Sequence, residues 1–114
     1  MTNTLFLPEL REMLAQHNEA ELREFCAALH PARTAEFMEG LTAEESWEVL
    51  RFADEFARVQ VFLYFELEKQ LDILRTIERT EIADFIGQLP PDERVDLLNE
   101  LEPQLVEELL PLVH

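Results

Sequence analysis

The sequence is poor in the residues that tight turns, disulfides and phosphate loops require. Of its 114 residues, only two are glycine and one is cysteine. The shortage of glycine, and the lack of Asn-Gly pairs or alternating β-branched runs, argues against β-hairpins and against a glycine-rich phosphate loop. A single cysteine excludes an intramolecular disulfide. Because good helix formers dominate the rest, the sequence predicts an all-α protein.

Positive charge is also scarce, since 25 acidic residues oppose nine basic ones and the net charge is -16. Nucleic acids and anionic membrane surfaces are bound through Lys and Arg, so the composition predicts neither partner. The acidic excess favours a basic partner or a divalent cation, although solvated helix faces account for most of it. There is no run of 18 apolar residues and no signal peptide, which predicts a cytosolic chain without direct membrane insertion.

What the sequence does contain is an apolar repeat of twelve residues. One apolar position, here called the anchor, recurs every twelve residues, and an apolar pair lies four and three residues before it. The anchors are Leu29, Leu41, Ala53, Phe65, Ile77, Leu89, Leu101 and Val113. Six residues before the anchor most copies are apolar again, as at Trp47 and Leu71. These offsets share one helix face, so each unit predicts one short amphipathic helix.

Helix breakers and helix caps recur in the same phase. Prolines follow an anchor by one or two residues at Pro31, Pro90, Pro91 and Pro103. Proline suits such breaks because it lacks an amide donor. Thr42 with Glu45 predicts a capping box in the same place, and Asp54 predicts an N-cap. At Glu66 and Glu78 there is neither Gly nor Pro, so helices running through these breaks are an alternative.

Helices of about nine residues are marginal alone in water and must pack on their neighbours. The repeat therefore predicts antiparallel hairpins that stack into a superhelix, a solenoid-like array. The alternative is a compact bundle of four longer helices. In this scheme residues 1–18 are a lead-in and capping helix, where Leu5 keeps the phase and His17 replaces the apolar anchor. Residues 19–114 form the helical-repeat domain.

Catalysis has little support, and we predict that the protein is not an enzyme. The three histidines, His17, His30 and His114, have no defensible spacing to a serine or cysteine. Cys26 lies on the apolar face, which predicts a buried, inert thiol. The aromatic group formed by Phe56, Phe62, Tyr64 and Phe65 is interpreted as core, with a partner-binding patch as the alternative.

Asp92 and Asp96 are the candidate metal ligands. Carboxylates four residues apart on a helix point the same way. Magnesium prefers hard oxygen ligands and keeps several waters, so one or two carboxylates can suffice at an interface. The alternative interpretation is that Asp92 caps a helix and Asp96 faces solvent.

Three segments combine a His-Pro helix start with recurrent Leu-Pro-Pro and Leu-Leu units. They read LHPARTAEFMEGL, LTAEESWEVL and IERTEIADFIGQLPPDERVDLLNELEPQLVEELL. Over about residues 20–112 they resemble the cytosolic N-terminal domain of MgtE-type magnesium transporters, a superhelix of short helices. The sequence departs from that family at Gln60, where a carboxylate is expected, and at Arg33 and Thr34, where an acidic and an aliphatic residue are usual.

The resemblance implies a regulatory function. In such transporters the N domain precedes paired CBS domains and a membrane pore domain that forms a homodimer. Magnesium bound between the N and CBS domains favours the closed channel. Asp92 and Asp96 match carboxylates at the start of a late N-domain helix, so the resemblance implies a regulatory Mg²⁺ held at an interface with another domain.

Two functional hypotheses follow. The first is a magnesium-sensing domain on the cytosolic face of the inner membrane, which docks on CBS domains to gate the pore of a magnesium transporter. The second is a stand-alone helical-repeat adaptor that binds a protein partner without metal.

Overall fold

The computed structural model describes residues 7–113, which fold into nine short α-helices and a final 3-10 turn. The helices are α1 Leu7–Ala15, α2 Glu19–Ala28, α3 Pro31–Phe37, α4 Ala43–Leu50, α5 Glu55–Tyr64, α6 Leu67–Thr76, α7 Arg79–Gln88, α8 Pro91–Glu100 and α9 Pro103–Leu109, and the turn spans Leu110–Leu112. No strand occurs among these residues, so the all-α prediction is confirmed. The start of the lead-in with Leu5, and His114 at the other end, lie outside the described residues.

The helix starts follow the twelve-residue repeat without exception from α2 onward. The N-caps are Asn18, His30, Thr42, Asp54, Glu66, Glu78, Pro90 and Glu102. Where an anchor is also a C-cap its backbone is extended, as at Phe65 with ψ 154° and Leu89 with ψ 149°. Two extended residues, an anchor and an N-cap, therefore join α2 to α3 and join the successive helices from α5 to α9. The connections from α3 to α4 and from α4 to α5 are longer.

These junctions need no left-handed backbone, which explains the scarcity of glycine. Among residues 7–113 the only non-glycine residue with positive φ is His17, at 53°, and no described glycine has positive φ. His17 lies between α1 and α2, where the sequence repeat is degenerate. The one junction that departs from the repeat is thus the one that needs an unusual backbone conformation.

The predicted caps and breaks are present. Thr42 and Glu45 form a complete capping box, and the Asp54 carboxylate accepts the Ala57 amide at 2.7 Å. The helices break at both Glu66 and Glu78, although neither position carries a glycine or proline. The alternative of four longer helices is therefore wrong.

The repeat positions form one continuous core. Alternate helices pack together, α3 on α5, α4 on α6 and α7 on α9. Trp47 and Phe62 both contact the Phe85 ring edge-on, with centroid distances of 4.9 and 4.8 Å. Such aromatic contacts add stabilisation beyond the burial of area. The predicted core is confirmed for these residues and for the anchors from Leu41 to Leu101.

Some apolar positions that the repeat assigns to the core are exposed. Leu29, Val95 and Leu110 are 40%, 56% and 53% exposed. Phe56 and Tyr64 are 73% and 54% exposed, so their assignment to the core is wrong. Both occupy positions outside the buried face of α5, whereas Phe62 on that face is fully buried.

The described residues form a slightly elongated body of 39 × 28 × 21 Å. Its radius of gyration is 14.0 Å, against about 13 Å for a compact chain of this length. The antiparallel and superhelical path of the array remains a prediction. None of the helices between residues 7 and 113 has the length and apolar character of a membrane span.

Candidate functional site

The two predicted metal ligands lie on α8. Pro90 is the N-cap, and Pro91 begins the helix with the fixed φ that suits its first turn. Asp92 follows in the first turn, where the positive end of the helix dipole favours a carboxylate. Asp96 lies one turn later, and both side chains are exposed. The helix start therefore holds two carboxylates side by side toward solvent.

Asp96 lies on the rim of a shallow cavity of about 370 Å³ between α6 and α8, which Glu93 and Glu100 also line. Within residues 7–113, no three His, Cys, Asp or Glu side chains are close enough together to hold a metal ion. The donor set is nevertheless of the type that Mg²⁺ accepts, since hard oxygens with retained waters suit it. Asp92 and Asp96 as ligands remain a prediction.

The same carboxylate spacing occurs on two other helices. Measured from the N-cap, Asp92 and Asp96 occupy the second and sixth positions of α8. Glu44 and Glu48 occupy the same positions of α4, and Glu68 and Asp72 those of α6. Spacing and register therefore do not distinguish α8, and these other pairs are natural controls for it.

The remaining candidate side chains have structural roles. Cys26 is buried, its Sγ is 3.6 Å from the Val49 carbonyl oxygen, and burial raises the pKa of the thiol to about 11. Its predicted inertness agrees with this environment. His30 caps α3 by accepting the Ala32 amide on Nδ1 at 3.1 Å.

Two arginines cap the C-terminal ends of the helices that precede them. Arg58 donates to carbonyl oxygens eight, seven and five residues earlier at 2.9, 3.4 and 2.9 Å. Arg94 repeats the pattern at 3.2, 3.1 and 3.2 Å. The guanidinium satisfies carbonyls that a helix end leaves without partners, and its charge complements the helix dipole.

Most other arginines pair with acids on a different helix. These ion pairs are Arg11–Glu45, Arg51–Glu81, Arg75–Glu102 and Arg79–Glu108. Glu81 also accepts the buried Trp47 Nε1 at 2.8 Å. Hydrogen bonds from Arg51, and secondarily from Trp47, hold the pKa of Glu81 below its ordinary value. The basic side chains thus bind the protein to itself, and much of the outer surface is left acidic.

A feature that the sequence did not reveal is a cavity of about 530 Å³ between α3 and α6. We call it the acidic groove. Its apolar lining comprises Ala32, Ala35, Leu41, Ala43, Tyr64 and Phe65, and its acidic lining comprises Glu36, Glu39, Glu66, Glu68 and Asp72. Residues from four successive units line it, so no short sequence motif could have predicted it.

The only lysine of the chain, Lys69, lies in the wall of the acidic groove. Its Nζ donates to the Met38 carbonyl oxygen at 2.5 Å and lies 4.7 Å from the centre of the Phe65 ring. Burial lowers the pKa of this amine to about 8, although Glu39 and other neighbouring carboxylates oppose that shift. The sequence shows that Lys69 is the only lysine, which could have singled it out, but it does not show that Lys69 lies in a groove.

Comparison with known proteins yields one family. The model of the MgtE intracellular N domain matches residues 29–114, which is most of the chain. The match includes the helices α3 to α9, and therefore both the α8 carboxylate pair and the acidic groove. No match was found among curated proteins.

Proposed function

Because the chain belongs to the family of MgtE intracellular N domains, we propose that it is a magnesium-sensing regulatory domain of a magnesium transporter. In this proposal the chain docks on CBS domains of the same transporter when Mg²⁺ is abundant and separates from them when it is scarce. Docking favours the closed pore. The family match supports the assignment to an MgtE-type transporter, and the α8 surface supports the sensing role.

The observation that carries the sensing role is the exposed carboxylate pair on α8. Neither Asp92 nor Asp96 forms an ion pair with another described residue, whereas seven of the chain's arginines bind internal acids or carbonyls. The pair is therefore free to bind a hydrated cation. Val95, which lies between the two aspartates, is also exposed and can make apolar contact with a docked partner.

Electrostatics then makes docking depend on the ion. Two acidic surfaces repel each other, and a divalent cation between them removes the repulsion. The cation requires few protein ligands from each side, because Mg²⁺ keeps part of its water shell. Docking should weaken as added monovalent salt screens the charges.

The test measures binding of the chain to the purified CBS domains by calorimetry, in Mg²⁺ and in EDTA. We expect binding that EDTA abolishes and that Asp92→Asn with Asp96→Asn reduces by about tenfold or more. Glu44→Gln with Glu48→Gln is the matched control, because it removes the same charge from the same repeat positions. Equal losses in the two double variants would refute a defined site on α8.

A second candidate function is an adaptor that binds a protein partner without metal. The exposure of Phe56 and Tyr64 favours it, because large exposed aromatic side chains are common at protein interfaces. The same calorimetry distinguishes the two functions, since binding by an adaptor would persist in EDTA and would not require Asp92 or Asp96.

A further inference from the structure

We propose that the acidic groove binds a basic peptide segment of a partner protein, in which lysines or arginines flank an apolar side chain. This surface is distinct from the α8 carboxylate pair. It goes beyond magnesium sensing, because it requires no metal.

The floor of the groove is apolar and consists of buried residues. Leu41 and Phe65 are buried anchors of the repeat, and Ala35 is buried on α3. Tyr64 stands at the side with 54% of its surface exposed, and its ring contacts the His30 ring edge-on at 5.9 Å. The cavity volume of about 530 Å³ is within the range of binding clefts. An apolar side chain can therefore be buried there without unfolding any element.

The negative charge of the groove lining indicates that the partner segment is positively charged. Five acidic side chains and one basic one line it. The side chains of Glu36, Glu66 and Glu68 form no ion pair or hydrogen bond with residues 7–113. Placing a positive partner against them loses no existing contact. Charge complementarity of this kind selects partners and speeds their association.

Lys69 shows how the groove accommodates an ammonium group. Its amine is held by a backbone carbonyl and an aromatic face, two partners that do not depend on a carboxylate. Because Lys69 is the only base among five acids, the groove retains an excess of negative charge. A lysine or arginine from a partner would meet the exposed Tyr64 ring next to the unpaired carboxylates.

A labelled peptide, KKRLFRKK, provides the probe, and its binding to the chain is measured by fluorescence anisotropy in EDTA. We expect Glu36→Gln, Glu66→Gln and Glu68→Gln together to weaken binding about tenfold, because three solvent-accessible charge contacts are lost. The matched control is Glu24→Gln, Glu100→Gln and Glu107→Gln, which removes three exposed charges outside the groove. It should change binding less than about twofold.

A second variant separates the groove from diffuse attraction by the net charge. Tyr64→Ser removes an exposed ring and leaves every charge in place, so the fold should persist. We expect it to weaken the binding of KKRLFRKK severalfold. The peptide KKRSSRKK, which lacks the apolar pair, should bind more weakly, and its binding should not change. The proposal is wrong if the peptide does not bind, if the two triple variants lose affinity equally, or if Tyr64→Ser has no effect. Because EDTA is present and Asp92 and Asp96 are unaltered in every variant, these results are independent of magnesium sensing.

Discussion

The helices α6 and α8 have the same length and the same place in the repeat, but different surroundings. Each has ten residues and an N-cap without a side-chain hydrogen bond. Yet α6 buries four residues, whereas α8 buries only Leu97. At the position six before the anchor, Leu71 of α6 is 4% exposed and Val95 of α8 is 56% exposed. The repeat thus determines where a helix forms, while the neighbouring helices determine how much of it is buried.

The difference also suits the two helices to different functions. The buried α6, together with its N-cap Glu66, contributes Lys69 and three carboxylates to a groove with an apolar floor. The exposed α8 presents its carboxylate pair and Val95 on an open surface, and Arg94 attaches its first turns to the end of α7. A surface of the second kind is free to approach and leave a partner without disturbing the core.

The largest expected difference between α6 and α8 is in the loss of stability when Leu71 and Val95, which occupy equivalent positions, are truncated. Leu71→Ala should lower the free energy of unfolding by about 2–4 kcal/mol, because it removes buried methyl groups and leaves a cavity. Val95→Ala should change it by less than about 0.5 kcal/mol, since an exposed side chain is replaced. Urea unfolding followed by circular dichroism measures both. A loss above that limit at Val95 would mean that the outer face of α8 is covered.

An intermediate effect on stability is expected at Gln70 of α6 and Arg94 of α8, the polar residues four positions after the two N-caps. Arg94→Ala should cost about 1–2 kcal/mol, because three carbonyls at the end of α7 lose a charged donor. Gln70→Ala, which removes one bond to the Phe62 carbonyl, should cost about 1 kcal/mol. Native-state hydrogen exchange should show the Arg94 loss concentrated in α7 and α8. Arg94→Lys keeps the positive charge but lacks the several N–H donors of the guanidinium group. It should therefore restore only part of the lost stability. Full recovery would show that charge alone holds α8.

The smallest effect concerns pH and has no counterpart on α8. Lys69 has a pKa of about 8 in the folded protein, against 10.5 for an ordinary lysine. The unfolded chain therefore binds more protons between these values, and stability rises with pH across that window. Because the amine is partly exposed, we expect a gain below about 1 kcal/mol.

The measurement is the difference in unfolding free energy between the native chain and Lys69→Met at pH 7, 8, 9 and 10. Cys26 acts in the opposite direction, since its raised pKa of about 11 lowers stability above pH 9. Both proteins retain Cys26, so its contribution cancels in the difference. A difference that is independent of pH would contradict the lowered pKa of Lys69.

Sequence periodicity was sufficient to predict the helices, because each local pattern specifies its own face and cap. Thr42 and Asp54 form the predicted caps, and the anchors directly before them, Leu41 and Ala53, are buried. Periodicity could not predict that Val95 is exposed, since burial depends on helices remote in the sequence. The acidic groove was invisible for the same reason.

The candidate metal site was less predictable than the fold. Asp92 and Asp96 share their register with Glu44 and Glu48, so the residues alone do not single out α8. Their selection came from the resemblance to MgtE-type domains, and the family match over residues 29–114 supports that resemblance. The roles of Arg58 and Arg94 went unnoticed because a long side chain can reach carbonyls of an adjacent helix, a contact that no apolar pattern encodes.

The constant twelve-residue spacing of the N-caps has a consequence for how such a chain can change length. Every unit from α2 onward begins at the same N-cap position, and the helices α2 and α5 to α8 end at an extended anchor; neither position demands a special residue. Duplication or deletion of a multiple of twelve codons would leave each remaining cap and core position in phase. Because alternate helices pack together, 24 residues form the smallest block that could be gained or lost with its packing neighbours intact. An insertion or deletion that is not a multiple of twelve residues would displace every core side chain downstream.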